Sequence, residues 1–161
     1  MNVPRVRDIM REVPITVRDN EPLINVLRIM RDKNIGSMII TDEGGKALGV
    51  FTERDLVRLV ANNEDVSSFT IGDVMTRTVI AVEADASLIK AVHIMAKHGI
   101  RHLPVIDSNG KVVGIISIRD AAITLARLLV DIGIGSLEIT EEEVSMIREM
   151  VNTNVNEGWG L

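Results

Sequence analysis

Cysteine is absent from the chain, so neither a disulfide nor a thiolate-held metal can contribute to its fold or chemistry. Three histidines (His93, His98, His102) do not make up a structural zinc set, and the expectation is no metal and no cofactor. Tyrosine is also missing, and the only rings of the aromatic class are Phe51, Phe69 and Trp159. A stacking platform for single-stranded nucleic acid needs more than that. Any flat base bound here must lie between aliphatic side chains. Basic charge is short as well: the formal net charge of -5 disfavours a nucleic-acid-binding face. No apolar run reaches membrane-spanning length, and the opening Met1-Asn-Val-Pro-Arg-Val-Arg has no signal-peptide core. These absences lead to the expectation of a soluble, cytoplasmic protein that meets no membrane. The 161 residues, 46% hydrophobic and 25% charged, suit one compact domain or two small, mutually dependent ones.

What the chain does contain is a copy of itself. Shifted by 65 residues, residues 6–60 align with 71–125 without a gap, matching Asp8/Asp73, Met10/Met75, Ile15/Ile80, Val17/Val82, Leu23/Leu88, Met30/Met95, Ile35/Ile100, Gly45/Gly110, Gly49/Gly114 and Asp55/Asp120. An ungapped register of that length marks an internal duplication. With two copies only, it predicts a pseudo-twofold pair and not a solenoid.

Each copy can be parsed in order. Ile15–Val17 and Ile80–Val82 are short β-branched runs, hence strands. Leu23, Val26, Leu27 and Met30, like Leu88, Ala91, Val92 and Met95, form one apolar stripe of a helix. Met38–Thr41 and Leu103–Ile106 are strands, and Asp42–Gly45 and Asp107–Gly110 supply turn chemistry. Ala47–Phe51 and Val112–Ile116 close a hairpin, and helices start from Thr52 and Ser117. Each half is therefore β-α-β-β-α, preceded by a short turn at Val6–Met10 or Ile71–Met75. A three-stranded sheet with two helices leaves one apolar face uncovered. The expected α/β (α+β) architecture thus packs the halves sheet to sheet, with pseudo-twofold symmetry and a cleft on each side. The expected division is 1–62, 63–126 and a helical extension, 127–161, with the polar stretch Asn62–Thr70 linking the halves. Pro14 and Pro104 are expected at a strand entry or edge. His93 and His98, five apart, do not share a helix face and are expected at the surface or its boundary.

Both copies end in the same signature: Gly49-Val-Phe-Thr52-Glu-Arg54-Asp55 and Gly114-Ile-Ile-Ser117-Ile-Arg119-Asp120. A hydroxyl followed three positions later by a carboxylate is a variant of the helix capping box, which suffices to explain it. The same pair can hold the two hydroxyls of a ribose, and the roles are compatible. Strand alternation puts Val50 beside Thr52 and sends Phe51 into the core; Ile115 stands beside Ser117 in the same way. An aliphatic residue next to a hydroxyl and a carboxylate makes a suitable adenosine wall.

Together with Ile35-Gly-Ser-Met-Ile-Ile-Thr-Asp42 and Ile100-Arg-His-Leu-Pro-Val-Ile-Asp107, these signatures make residues 6–126 resemble two CBS domains in tandem, a Bateman module. The resemblance implies adenosine ligands (AMP, ADP, ATP or S-adenosylmethionine) in clefts between the halves, as regulatory ligands and not as cofactors. In such modules the closing motif of one half grips the ribose, while the first strand and the start of the second strand of the other half wall the base and meet the phosphate. Carried over, one cleft uses Val50, Thr52 and Asp55 with Val79, Ile80, Ala81, Ile100, Arg101 and His102. The other uses Ile115, Ser117 and Asp120 with Pro14, Ile15, Thr16, Ile35, Gly36 and Ser37. Arg101 and His102 face Gly36 and Ser37 in this comparison, so the Thr52–Asp55 cleft is expected to be the stronger phosphate site. Arg54 and Arg119 are further phosphate candidates.

Beyond the repeat, Ala121–Ile132 extends the last helix until Gly133 and Gly135 break it. Thr140-Glu-Glu-Glu143 is a capping box, followed by the apolar stripe Val144, Ile147, Met150 and Val151. That helix either packs on the module or makes a dimer contact, since Bateman modules often pair. Residues 152–161 are expected to be a loose end, with Trp159 a potential anchor. With no nucleophile–base pair or phosphate loop in view, the expected function is a non-catalytic nucleotide sensor. It would act as a homodimer on an unidentified regulated protein. The competing reading is a scaffold whose clefts stay empty.

Overall fold

The computed structural model describes residues 3–12, 14–132 and 138–156. A 3₁₀ turn (Val6–Asp8) precedes β1 (Arg11–Glu12), β2 (Thr16–Val17), α1 (Leu23–Lys33), β3 (Ser37–Thr41), β4 (Ala47–Thr52) and α2 (Glu53–Ala61). The second half brings α3 (Ile71–Val74), β5 (Val82–Glu83), α4 (Leu88–His98), β6 (His102–Ile106), β7 (Val112–Ser117), α5 (Ile118–Ile132) and α6 (Glu141–Asn156). Among these residues no helix is long and apolar enough to cross a membrane.

The chain forms two compact units that cut across the repeat. One comprises Val13–Ala81 and Ile106–Val113; the other comprises Met1–Glu12, Val82–Val105 and Gly114–Leu161. In the first unit the sheet runs β2-β3-β4, with β2 parallel to β3 and β3 antiparallel to β4. All five residues of β3 are buried. The apolar stripe of α1 (Leu23, Val26, Met30) meets Met38, Ile40, Phe51, Ile71 and Met75 in one core. Phe51 is fully buried, as strand alternation requires. The β6–β7 turn belongs here too, because Val112 N–H donates to the Gly45 carbonyl at 3.0 Å.

In the second unit the 3₁₀ turn is tied down by Val6 N–H to Ala86 O and Arg7 N–H to Ala84 O, both 2.9 Å. Its buried set includes Val6, Leu88, Ala91, Met95, Leu103, Val105 and Ile116. The four-stranded sheet has the order β1-β7-β6-β5. Strand β1 has no signature in the sequence, because two residues show no period. It pairs antiparallel with β7, Arg11 opposite Ile115 and Glu12 opposite Gly114. In the first unit Thr76, the repeat counterpart of Arg11, pairs with Val50 in the same manner, the two exchanging N–H···O bonds of 3.0 and 2.9 Å. The segment after each Met thus lies along the closing strand of the other repeat.

The helix stops are shared between the copies. α1 ends on Asn34 (φ 52°) and α4 on Gly99 (φ 62°), both left-handed. Three expectations need correction. The strand placed at Ile80–Val82 lies at Val82–Glu83, because Val79–Ala81 run outside any ladder. Pro104 sits inside β6, not at an entry or edge; the neighbouring β5 is only two residues long and asks for few ladder donors. Residues 152–156, expected as a loose end, continue α6, whose asparagines do not halt it. Gly133, Gly135, Trp159 and the Val151 side chain lie outside what is described.

α6 packs on α4. Its capping box is formed: Thr140 N–H and Thr140 Oγ1 both donate to Glu143 Oε2 at 3.0 Å, and Glu143 N–H donates back to Thr140 Oγ1 at 3.2 Å. Glu143 is buried. Burial pushes its carboxyl up, but hydrogen bonds from the Thr140 N–H, the Ser87 hydroxyl and the Thr140 hydroxyl outweigh it and hold the group below its ordinary value. His93 is a boundary residue of this layer, with Nε2 3.5 Å from Glu149 Oε2, while His98 is exposed.

Candidate functional site

Thr52 is the last residue of β4 and the N-cap of α2, with extended backbone (φ -130°, ψ 164°). Its backbone N–H and its hydroxyl both donate to Asp55 Oδ2, at 2.8 and 2.7 Å. The other carboxylate oxygen, Oδ1, stands 3.4 Å from Arg58 Nη1. In the second copy the Ser117 hydroxyl donates to Asp120 Oδ2 at 2.7 Å and accepts the Asp120 N–H at 3.1 Å. The capping role is therefore real in both copies. It leaves each site with a carboxylate oxygen, Oδ1, that no hydroxyl occupies, and with hydroxyl lone pairs. Such acceptors suit the two O–H donors of a vicinal diol. Val50 and Thr52, like Ile115 and Ser117, are half-buried, while the alternate residues Gly49, Phe51, Gly114 and Ile116 are buried.

The neighbouring expected residues fall as follows. Ser37 is the β3 partner of Thr52, and the Gly36 carbonyl accepts the Glu53 N–H at 3.1 Å. A methyl group on Gly36 would sit 3.1 Å from Glu53 Oε2, so a carboxylate occupies the space that a longer side chain would use. Ile35 is half-buried just before them. In the second copy the Arg101 carbonyl accepts the Ile118 N–H at 2.9 Å. His102 opens β6 and Ile100 precedes the pair. Within its own unit Arg101 thus adjoins the Ser117 motif, and Gly36 and Ser37 adjoin the Thr52 motif. Val79, Ile80 and Ala81 are half-buried and follow Thr76, the partner of Val50. Pro14 is half-buried, and Ile15 and Thr16 at β2 are exposed. Arg54 and Arg119 are exposed on the first turns of α2 and α5.

One residue at the second motif carries no local signal in the sequence. Arg11 Nε lies 3.6 Å from Asp120 Oδ2. The Ser117 cleft, expected to lack charge at the Gly36 and Ser37 positions, has a further cation beside its carboxylate. The repeat register contained the signal, since it sets Arg11 against Thr76, but β1 is too short to announce itself.

Residues 6–62 and 71–127 both match the model of the CBS domain. The chain belongs to the CBS-domain family and carries the domain as a tandem pair. It is 38% identical over 128 residues to an uncharacterized 17.7 kDa protein of Acidianus ambivalens, covering 80% of this chain and 74% of that one. It is 32% identical over 120 residues to inosine-5′-monophosphate dehydrogenase of Nitrosopumilus maritimus, covering 74% of this chain but only 24% of the enzyme. Among solved structures it is similar to the CBS domain pair of protein MJ0100 in complex with 5′-methylthioadenosine and S-adenosyl-L-methionine. That likeness has a TM-score of 0.71 at 31% identity over 78% of this chain and 98% of the other.

Proposed function

We propose that this protein is a non-catalytic regulatory module that binds adenosine-type ligands and acts on a partner protein in trans. The observation that carries the reading is the duplicated hydroxyl–carboxylate pair, held at 2.7 Å in both copies at the end of an apolar strand. Thr52 with Asp55, and Ser117 with Asp120, take the ribose. Val50, with Val79, Ile80 and Ala81 of the same unit, walls the base held at Thr52, and Ile115, with Ile100 of the same unit, walls the base held at Ser117; Pro14, Ile15, Thr16 and Ile35 are the remaining base-wall candidates. Arg101, His102, Gly36 and Ser37, with Arg54 and Arg119 as further candidates, meet the 5′ substituent. The CBS domain pair of MJ0100, which is similar over most of this chain, was crystallised with two such ligands. The working form is a homodimer in the cytoplasm.

Calorimetry with AMP, ADP, ATP, S-adenosylmethionine and 5′-methylthioadenosine tests the reading, alongside mass spectrometry of ligand released from the purified protein. At least one adenosine ligand should bind, and it should raise the melting temperature, as any ligand of the native state must. Failure of all five to bind or to shift the melting point would leave the motifs as helix caps alone. Light scattering at micromolar concentration should give twice the mass of the chain; a monomer would remove the dimer from the proposal.

A further inference from the structure

We propose that Arg11 makes the Ser117–Asp120 motif selective for adenosine ligands with an anionic 5′ group. This rests on the ribose role proposed above and reverses the ranking that Arg101 and His102 suggested. β1 pairs with β7 so that Arg11 stands directly opposite Ile115. Directly opposed residues of an antiparallel pair point to the same face. Ile115 shares its face with Ser117 by alternation, so Arg11, Ile115 and Ser117 project together. The contact of Arg11 Nε with Asp120 Oδ2 at 3.6 Å shows where the guanidinium goes.

That contact is a poor end state for an arginine. The Arg11 side chain is 72% exposed, and an exposed pair of this kind is weak in water. A ribose seated on Asp120 would compete for the carboxylate and release the guanidinium. Whatever hangs from the sugar then lies within reach of a planar, always-charged donor that matches phosphate oxygens. The Arg101 backbone is fixed at the same motif through Ile118 N–H, adding a second exposed cation nearby.

The first copy is the internal control. At the position of Arg11 it has Thr76, which pairs with Val50 but carries no charge. Beside its hydroxyl it has Glu53, where the second copy has Ile118. Two motifs with the same ribose grip therefore differ in where their cation comes from: at Asp55 it is Arg58, on the next turn of α2, with Glu53 beside the hydroxyl, whereas at Asp120 it is Arg11, on the strand face shared by Ile115 and Ser117.

The test is calorimetry of AMP and of uncharged adenosine on Asp55→Asn, so that the heat reports the Ser117 motif, with Arg11→Thr and Arg11→Lys added. Arg11→Thr installs the residue of the other copy at an exposed site and should leave the melting temperature unchanged. It should weaken AMP about five- to tenfold while adenosine stays within about twofold, and Arg11→Lys should retain part of the preference. Raising salt should erode AMP binding in the parent and less in Arg11→Thr. An AMP-to-adenosine ratio indifferent to Arg11→Thr overturns the inference, as does loss of all AMP binding on Asp55→Asn alone. Either result leaves the proposed function standing. Absence of any adenosine ligand on the unmodified protein overturns both.

Discussion

Met75 lies directly over Gly49. A methyl group on Gly49 would come within 2.8 Å of Met75 Cγ and 3.0 Å of the Thr76 carbonyl oxygen. Gly114 stands in the same relation to Met10 and Arg11, at 2.6 Å from Sδ and 3.0 Å from the carbonyl. The duplicated Gly/Met pair is thus what lets the segment after each methionine lie flat against a closing strand. Through that contact the chain brings Thr76 to Val50, and Arg11 to Ile115.

Gly49→Ala should therefore destabilise by about 1–3 kcal/mol, the range for forcing an extra carbon into a filled core. Met75→Ala should cost about 2–5 kcal/mol, since Met75 is buried. The double variant should cost less than the sum, because removing the thioether relieves most of the overlap. The Thr76 carbonyl, which accepts the Val50 N–H, does not move away, so relief stays incomplete. Urea denaturation of the four proteins measures the coupling, and strict additivity would disprove the contact.

Much of this was legible in the sequence because it was written twice. Strand β4 showed a period of two, α1 a stripe at helical spacing, and Thr52 and Asp55 recurred as Ser117 and Asp120. The unread parts share a physical cause: their signal is tertiary. β1 is two residues long, so nothing local marks Arg11 as a strand residue facing a carboxylate more than a hundred positions away. Pro104 looks like an edge residue until β5 proves too short to demand its missing N–H. The placing of Arg101 at the Thr52 cleft follows from the family resemblance; what no local pattern announces is the backbone bond from Ile118 that sets Arg101 beside the Ser117 motif within its own unit.

Asp55 has two duties, and a pair of substitutions separates them. Asp55→Ala removes the acceptor of Thr52 N–H and of its hydroxyl, so it should lower stability by about 1 kcal/mol as well as weaken ligand binding. Asp55→Asn keeps one acceptor oxygen and should lose less stability, yet lose ligand affinity comparably. Thermal melts of the ligand-free proteins set beside calorimetric affinities decide this. Equal stability of Asp55→Ala and the parent would show that the cap contributes nothing.

Glu143 gives the acid side of the stability curve a definite sign. Burial raises its carboxyl, but the bonds from Thr140 and Ser87 outweigh that, so the folded group stays ionised at lower pH than in the unfolded chain. A depressed carboxylate contributes stability that is fully present above its ordinary value of 4.5 and is lost as pH falls through the lowered value. Glu143→Gln should cost about 1 kcal/mol at neutral pH and flatten the stability loss between about pH 5 and pH 3. Equal slopes for the variant and the parent over that window would exclude the linkage.

The two helix stops form a natural experiment in backbone strain. Asn34 and Gly99 both sit in the left-handed region, at φ 52° and 62°, one with a side chain and one without. A Cβ on Gly99 would meet nothing within 4 Å, so any loss in Gly99→Ala is conformational and not steric crowding by neighbours. It should be about 1 kcal/mol, the cost of placing an L side chain there. Gly99→Asn, which copies the first repeat, should recover part of that loss, because asparagine tolerates this region better than alanine. Asn34→Gly should be close to neutral: relief of the residual strain is offset by the extra freedom glycine gives the unfolded chain. Chemical denaturation ranks the set as parent, Gly99→Asn, Gly99→Ala in falling order. Should alanine match glycine at position 99, the left-handed stop of α4 would be forming without regard to which residue occupies it, and the shared stop of the two repeats would need another cause.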